Sequence, residues 1–135
     1  MKYITPITDR TLLDVTNRTA KAFLNIADWM RIYNNAQVAK IIVDFLQETE
    51  ITFNAVDEPT ILTIPSVTDL NTLLANINRI VSASGLPAIT GISTITDDWT
   101  AGTSSDAPDY TDVNQWETVI NTLYNIVGNA ADYRI

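Results

Sequence analysis

Apolar residues recur at helical spacing in four stretches of the chain. The strongest runs from about Asp28 to about Gln47, where Trp29, Ile32, Ala36, Ala39, Val43 and Leu46 follow one another at intervals of 3 and 4. That spacing draws one stripe along a helix. Met30, Tyr33, Ile41 and Phe45 form a second apolar set, so this helix is expected to pack on two sides. A helix over 69–83 places Leu70, Leu73, Leu74, Ile77, Ile80 and Val81 on one face, with Asn71, Thr72, Asn76 and Arg79 away from it. Gly85 and Pro87 then stop it. A helix over 112–127 aligns Val113, Trp116, Ile120, Leu123 and Val127, with Gly128 as its stop. The pattern over 9–23, with Leu12, Val15, Thr19 and Phe23 near one face, predicts the first helix.

The helix starts share a local motif: a small or hydroxyl residue, then Asp, then an apolar residue. It occurs at Ala27-Asp28-Trp29, Thr68-Asp69-Leu70 and Thr111-Asp112-Val113, and Thr8-Asp9 opens the first pattern. A hydroxyl at an N-cap accepts a hydrogen bond from a free backbone N–H, and an Asp in the first turn meets the positive end of the helix dipole. Ser66-Val67-Thr68-Asp69 resembles a capping box with Asp in place of Glu. The three units have unequal linkers, which suits three similarly capped helices better than a solenoid.

Two linkers separate the helices. Residues 49–66 are rich in β-branched residues and hold Pro59 and Pro65, which predicts a short edge strand or an extended strap. Residues 86–110 form a long linker, the best candidate for a contact surface because long loops in compact domains are often functional. The expected fold is mainly α: one domain over 1–135, an irregular bundle of about four helices with a strap and a long irregular linker.

Composition narrows the chemistry. The chain has 135 residues, 46% hydrophobic and 18% charged, which is the make-up of a folded domain and not of a disordered one. It contains no Cys and no His, which removes disulfides, thiolate ligands, the cysteine nucleophile and the commonest general base. No phosphate-binding glycine loop occurs. No enzymatic activity and no cofactor are expected.

Net charge is −8, which disfavours nucleic acid and anionic lipid as partners. The charge is uneven: residues 1–40 hold six bases and three acids, and the rest hold two bases and thirteen acids. A basic end and an acidic body suit head-to-tail contact between copies. The start, MKYITPITDR, lacks the apolar core of a signal peptide, and no window has the ~18 apolar residues of a membrane span. A protein made in a cytoplasm is expected.

Three readings of single residues follow. Asp97, Asp98, Asp106, Asp109 and Asp112 are numerous enough to suggest a Ca²⁺ site, but they lack the alternation and terminal Glu of an EF-hand loop. Solvated loop acids and helix caps are the plainer account, and no metal site is expected. Asp97 or Asp98 with Glu117 is the one carboxylate pair worth considering for a hydrolase. Trp99, in DDWTAG, is either a plug under the linker, the favoured option, or an exposed anchor for a partner or sugar. Trp29 and Trp116 lie on apolar stripes and are expected in the core.

ITPITDRTLLDV followed by FLNIADWMRIYNN resembles the opening of tail-associated structural proteins of bacteriophages that infect Gram-positive bacteria. The pattern there is TP-x-TDRT-x-x-DV and then N-x-x-DL-N-RI-E-NN. DDWTAGTSSDAPDYTDVNQWETVINTL is similar to the W…Y-x-DVN-x-WE element of the same proteins, and TDLNTLLANINRI is a fainter echo. Trp29-Met30 stands where the pattern has Leu-Asn, and Tyr33 where it has Glu.

The resemblance implies a virion protein of the tail tip, baseplate or fibre-attachment region, a small adaptor working by contact with itself and with neighbouring tail proteins. Trp99, Asp98, Asp109, Tyr110, Arg10 and Arg18 are the candidate partner contacts. A glycan-binding module using Trp99 and Tyr110, and an assembly chaperone absent from the virion, are the alternatives.

Overall fold

The computed structural model describes residues 2–19, 21, 25–60, 66–87, 92–100 and 108–125. It is mainly helical, with four helices and no strand among those residues. They are α1 (Leu12–Thr16), α2 (Ile26–Gln47), α3 (Val67–Ser84) and α4 (Tyr110–Leu123). Helices α2, α3 and α4 pack against one another pairwise.

One capping device starts each of these four helices. The N-caps are Thr11, Asn25, Ser66 and Asp109, and three residues on stand Asp14, Asp28, Asp69 and Asp112. In each box the cap side chain accepts from the Asp backbone N–H, and the Asp carboxylate accepts from the cap backbone N–H. Two otherwise unpaired donors are thereby satisfied, next to the positive end of the helix dipole. The Ser66–Asp69 box is as expected. Elsewhere the cap lies three residues before the Asp, because the carboxylate must reach back over one turn. Ala27, Thr68 and Thr111 therefore sit inside their helices. The first helix opens at Thr11 and not at Thr8.

That first helix is also far shorter than expected. It ends at Asn17, and Arg18 takes a left-handed backbone with φ 53°. The Thr19 N–H then donates to the Asp14 carbonyl at 3.0 Å, which closes the turn. With no buried residue, α1 leaves Leu12 and Leu13 about two-thirds exposed. The predicted Leu12–Val15–Thr19 face packs no core, and Phe23 lies outside the described residues.

The other three helices supply the core. Trp29, Ile32, Ala36, Ala39 and Val43 of α2 are buried, with Leu46 partly so. They meet all six predicted apolar residues of α3 and Val113, Trp116, Ile120 and Leu123 of α4. Val127 and Gly128 lie outside the described residues. Gly85 caps α3 with φ 72°, a left-handed conformation that glycine adopts without Cβ strain.

The linkers are held to this frame by asparagines. Asn35 of α2 accepts from the Ile4 N–H (2.9 Å) and donates to the Ile4 carbonyl (2.7 Å). Asn76 grips Asn54 in the same two-way manner, both bonds being 2.9 Å. Asn78 grips Ile95, Asn71 grips Trp99 and Asn114 grips Arg10. Each side-chain amide thus pairs with one residue's N–H and C=O, much as a residue of a neighbouring strand would. Of the 49–66 linker, residues 49–60 form neither helix nor strand and are held by Asn76, and Ser66 is the cap of α3. Asn76 is fully buried, not turned outward, because it serves this strap.

Candidate functional site

The helix starts and the N-terminal segment converge on one buried cluster of four charges. Asp28 is placed by the cap of α2, Arg31 lies one turn on, Glu117 stands mid-α4, and Arg10 arrives on the extended N-terminal segment. Their exposures are 2%, 9%, 1% and 3% in that order. Arg31 donates to Glu117 through Nε (2.5 Å to Oε1) and Nη2 (2.9 Å to Oε2), a bidentate pair. Its Nη2 also reaches Asp28 at 2.5 Å. Arg10 Nη2 bridges the same two carboxylates, at 3.1 Å to Asp28 and 2.8 Å to Glu117. Two cations and two anions leave the cluster neutral, which is what permits burial of so many charges.

Other groups fix the arrangement. Arg10 Nη1 donates to the Ile7 carbonyl at 2.7 Å and to Asn114 at 3.2 Å. The second carboxylate oxygen of Asp28 serves the Asn25 N–H. Burial lowers the proton affinity of the Arg31 guanidinium, but its bonds to Glu117 and Asp28 outweigh that and raise its pKa above the ordinary value. Further along the same segment, Tyr3 stacks on Tyr124 with ring centroids 3.7 Å apart and donates to Asn121 at 3.0 Å. Desolvation, then the nearby charge of Glu117 and Tyr124, pushes the Tyr3 hydroxyl up to about 12.

The cluster gathers residues from three short sequence motifs. TDRT contributes Arg10, ADWMRI contributes Asp28 and Arg31, and DVNQWE contributes Asn114 and Glu117. Trp116, between them in that last motif, is 1% exposed. In this chain those motifs form a packing device. In the sequence Asp28 reads only as a helix-start acid, and Arg31 and Asn114 carry no sign of the cluster beyond an Arg set within the apolar stripe of α2.

The predicted contact residues are dispersed. Arg10 is buried with both ends of its guanidinium engaged, so it is withdrawn from the surface contacts proposed for it. Asp109 is exposed, but its carboxylate accepts from the Thr111 hydroxyl and from the backbone N–H groups of Thr111 and Asp112. The Thr111 bond leads the effects that lower its pKa. Asp98 and Arg18 are exposed and Tyr110 is half-buried. Trp99 is half-buried as a plug: it packs on the core, edge-on to Trp116 with centroids 6.5 Å apart, and Asn71 clamps its backbone.

Asp97 and Glu117 have separate partners. Asp97 accepts from Asn78 at 3.1 Å, whereas Glu117 is bound to two arginines in the interior. Among the described residues no three acidic side chains gather as a metal site, and Asp106 lies outside them.

The basic end is largely neutralised within the chain. Arg10 and Arg31 lie in the cluster, Lys21 is 3.5 Å from both Asp9 and Asp14, and Lys40 is 2.6 Å from Asp44. Of the six bases in residues 1–40, Lys2 and Arg18 alone make no ion pair among the described residues.

The second apolar set on α2 is partly covered. Tyr33 packs partly on the core, but Met30, Ile41 and Phe45 are 38%, 56% and 53% exposed. The second side of α2 is thus less covered than the first. A hollow of about 170 Å³ lies beside Met30 and Tyr33, bounded by Ile4, Gln37, Glu58 and Pro59. No family model, curated protein or solved structure matches the chain. No helix among the described residues is long and apolar enough to cross a membrane.

Proposed function

We propose that this chain is a structural protein of a bacteriophage virion, of the tail tip, baseplate or fibre-attachment region, acting by protein–protein assembly. The observation that carries the assembly reading is the exposed apolar surface of α2. Large apolar side chains gathered on an outer face mark contact surfaces, and here Met30 and Ile41 are 38% and 56% exposed. The tail assignment rests on the resemblance in TDRT, ADWMRI and DVNQWE. The cluster built from those motifs supports a frame-building role, since its charged groups are paired with one another. No reaction is assigned to the chain, and its partners are copies of itself and neighbouring tail proteins.

Quantitative mass spectrometry of purified tailed particles tests this. The chain should be present at a fixed copy number, and particles assembled without it should lack the tail structure it belongs to. Absence from finished particles, despite abundance during assembly, would instead make it an assembly chaperone.

A further inference from the structure

Helices α3 and α4 repeat one pattern in one register. Thr68-Asp69, Asn71 and Ile77-Asn78 stand at the same distances from the cap Ser66 as Thr111-Asp112, Asn114 and Ile120-Asn121 from the cap Asp109. The matching asparagines hold a non-helical segment that runs antiparallel to its helix. On α3 these are Ile95 at Asn78 and Trp99 at Asn71, and on α4 they are Tyr3 at Asn121 and Arg10 at Asn114. At the asparagine nearer the cap each segment turns a large side chain inward, Trp99 against Trp116 and Arg10 onto Glu117.

In α2 the corresponding positions after the cap Asn25 are Met30 and Gln37, and both line the hollow of about 170 Å³. Tyr33 stands there in the place that Glu117 has in α4. The segment from Ile51, bound to Asp44 at 2.7 Å, to Pro59, beside Met30, passes in the same antiparallel sense. No asparagine of α2 holds it at either position. The hollow is the third of three like seats, and no large side chain among the described residues fills it.

Charge and shape define what this seat accepts. Ile4, Met30 and Pro59 are its apolar walls, Tyr33 adds a ring, and Glu58 adds a carboxylate at the rim. Burial, then the charges of Glu58 and Asp57, raises the Tyr33 hydroxyl above its ordinary pKa, so both carboxylates bear on the hollow. Lys2 lies alongside, its carbonyl bound by Asn34 at 2.7 Å, and its ammonium makes no ion pair among the described residues. Two carboxylates against one ammonium leave the mouth net negative. Neither Glu58 nor the Gln37 amide makes a hydrogen bond among the described residues. A carboxylate, an amide and an aromatic face set among apolar walls suit a guanidinium on an aliphatic stem. The volume is close to the ~150 Å³ that encloses a benzene-sized group.

We propose that the hollow on α2 receives an arginine side chain from a protein partner, as the α4 seat receives Arg10. The guanidinium pairs with Glu58 and its stem lies along Met30 and Pro59. The inference rests on the assembly reading above and specifies the chemistry of one contact.

The probe is the peptide acetyl-Gly-Arg-Gly-amide, and its control carries citrulline, which is neutral and of nearly the same shape. Titrated into the whole isotope-labelled chain at fixed ionic strength, the arginine peptide should shift the amide resonances of Met30, Tyr33 and Gln37. A Kd in the millimolar range is expected of a single side chain. The citrulline peptide should bind at least about tenfold more weakly. Glu58→Gln, at an exposed position where circular dichroism should report an unchanged fold, should cost the arginine peptide a similar factor. Lys2→Gln removes the nearby cation and should tighten binding.

No shift at these amides, equal binding of the two peptides, or binding indifferent to Glu58→Gln would each overturn the proposal. Binding seen only in Lys2→Gln would overturn it too, by assigning the hollow to Lys2 itself. None of these results bears on whether the chain is found in particles, so the assembly reading stands or falls separately.

Discussion

Arg10 and Glu117 lie 107 positions apart in the chain and meet at 2.8 Å in the interior, where Arg31 grips the same carboxylate. The N-terminal segment is thereby tied to α4 through a charge that cannot be removed alone. Glu117→Gln leaves two guanidiniums facing one buried carboxylate, and loss of one member of such a set costs about 3–5 kcal/mol. Urea unfolding of the variant should show a loss in that range. A loss of under about 1 kcal/mol would mean that water reaches the cluster and screens it.

The asparagine clamps predict a graded response. Asn76→Ala leaves the N–H and C=O of Asn54 without their partner and should destabilise by about 1–3 kcal/mol. Asn76→Asp should be at least as damaging, because a carboxylate can accept from the Asn54 N–H but cannot donate to its carbonyl. Equilibrium denaturation of the two variants checks the order.

Asn71→Ala releases the backbone of Trp99 and loosens the plug against Trp116. The expected outcome is a red shift of tryptophan emission, with the far-ultraviolet circular dichroism of the helices retained. An unchanged spectrum would show that packing alone holds Trp99.

The capping register can be tested at α3. Ser66→Ala removes the acceptor for the Asp69 N–H and should cost about 1 kcal/mol. Thr68→Ala, inside the first turn, should change stability by less than about 0.5 kcal/mol. Equal losses would favour Thr68 as the cap.

Tyr3 gives the chain an alkaline dependence. Its hydroxyl is pushed from 10.0 to about 12, so above pH 10 the unfolded chain releases a proton that the folded chain keeps. The unfolded state then binds fewer protons, and stability falls as pH rises from 10 toward 12. Tyr3→Phe should flatten that part of the curve. An absorbance titration should show Tyr3 ionising later than a free tyrosine, a late component that Tyr3→Phe removes.

Where period and burial agree, the fold was legible in the sequence. The apolar stripes of α2, α3 and α4 mark the core because each repeats every three or four residues over several turns. The first helix was misread because Leu12 and Val15 mimic a stripe that the left-handed Arg18 interrupts, and a single positive φ leaves no periodic trace. The capping boxes were visible once, at Ser66, and hidden at Asn25 and Asp109, where the cap is not a hydroxyl.

The clamps were invisible for a different reason. An asparagine that will bind a distant backbone looks like any polar residue on a helix, and Asn76 was placed outside on that ground. Arg10 was read as a surface base because pairing with Glu117 is a product of the fold. Trp99 as a plug was legible, since a large ring in a short polar loop needs a place to pack.

The asparagine clamps have a consequence for how such a chain can change over generations. They hold Ile4, Asn54, Ile95 and Trp99 by main-chain atoms, which every residue but proline presents alike. Side chains along the straps can therefore be exchanged while the attachment points stay the same. Outer loops can take on new chemistry without any revision of the helices beneath.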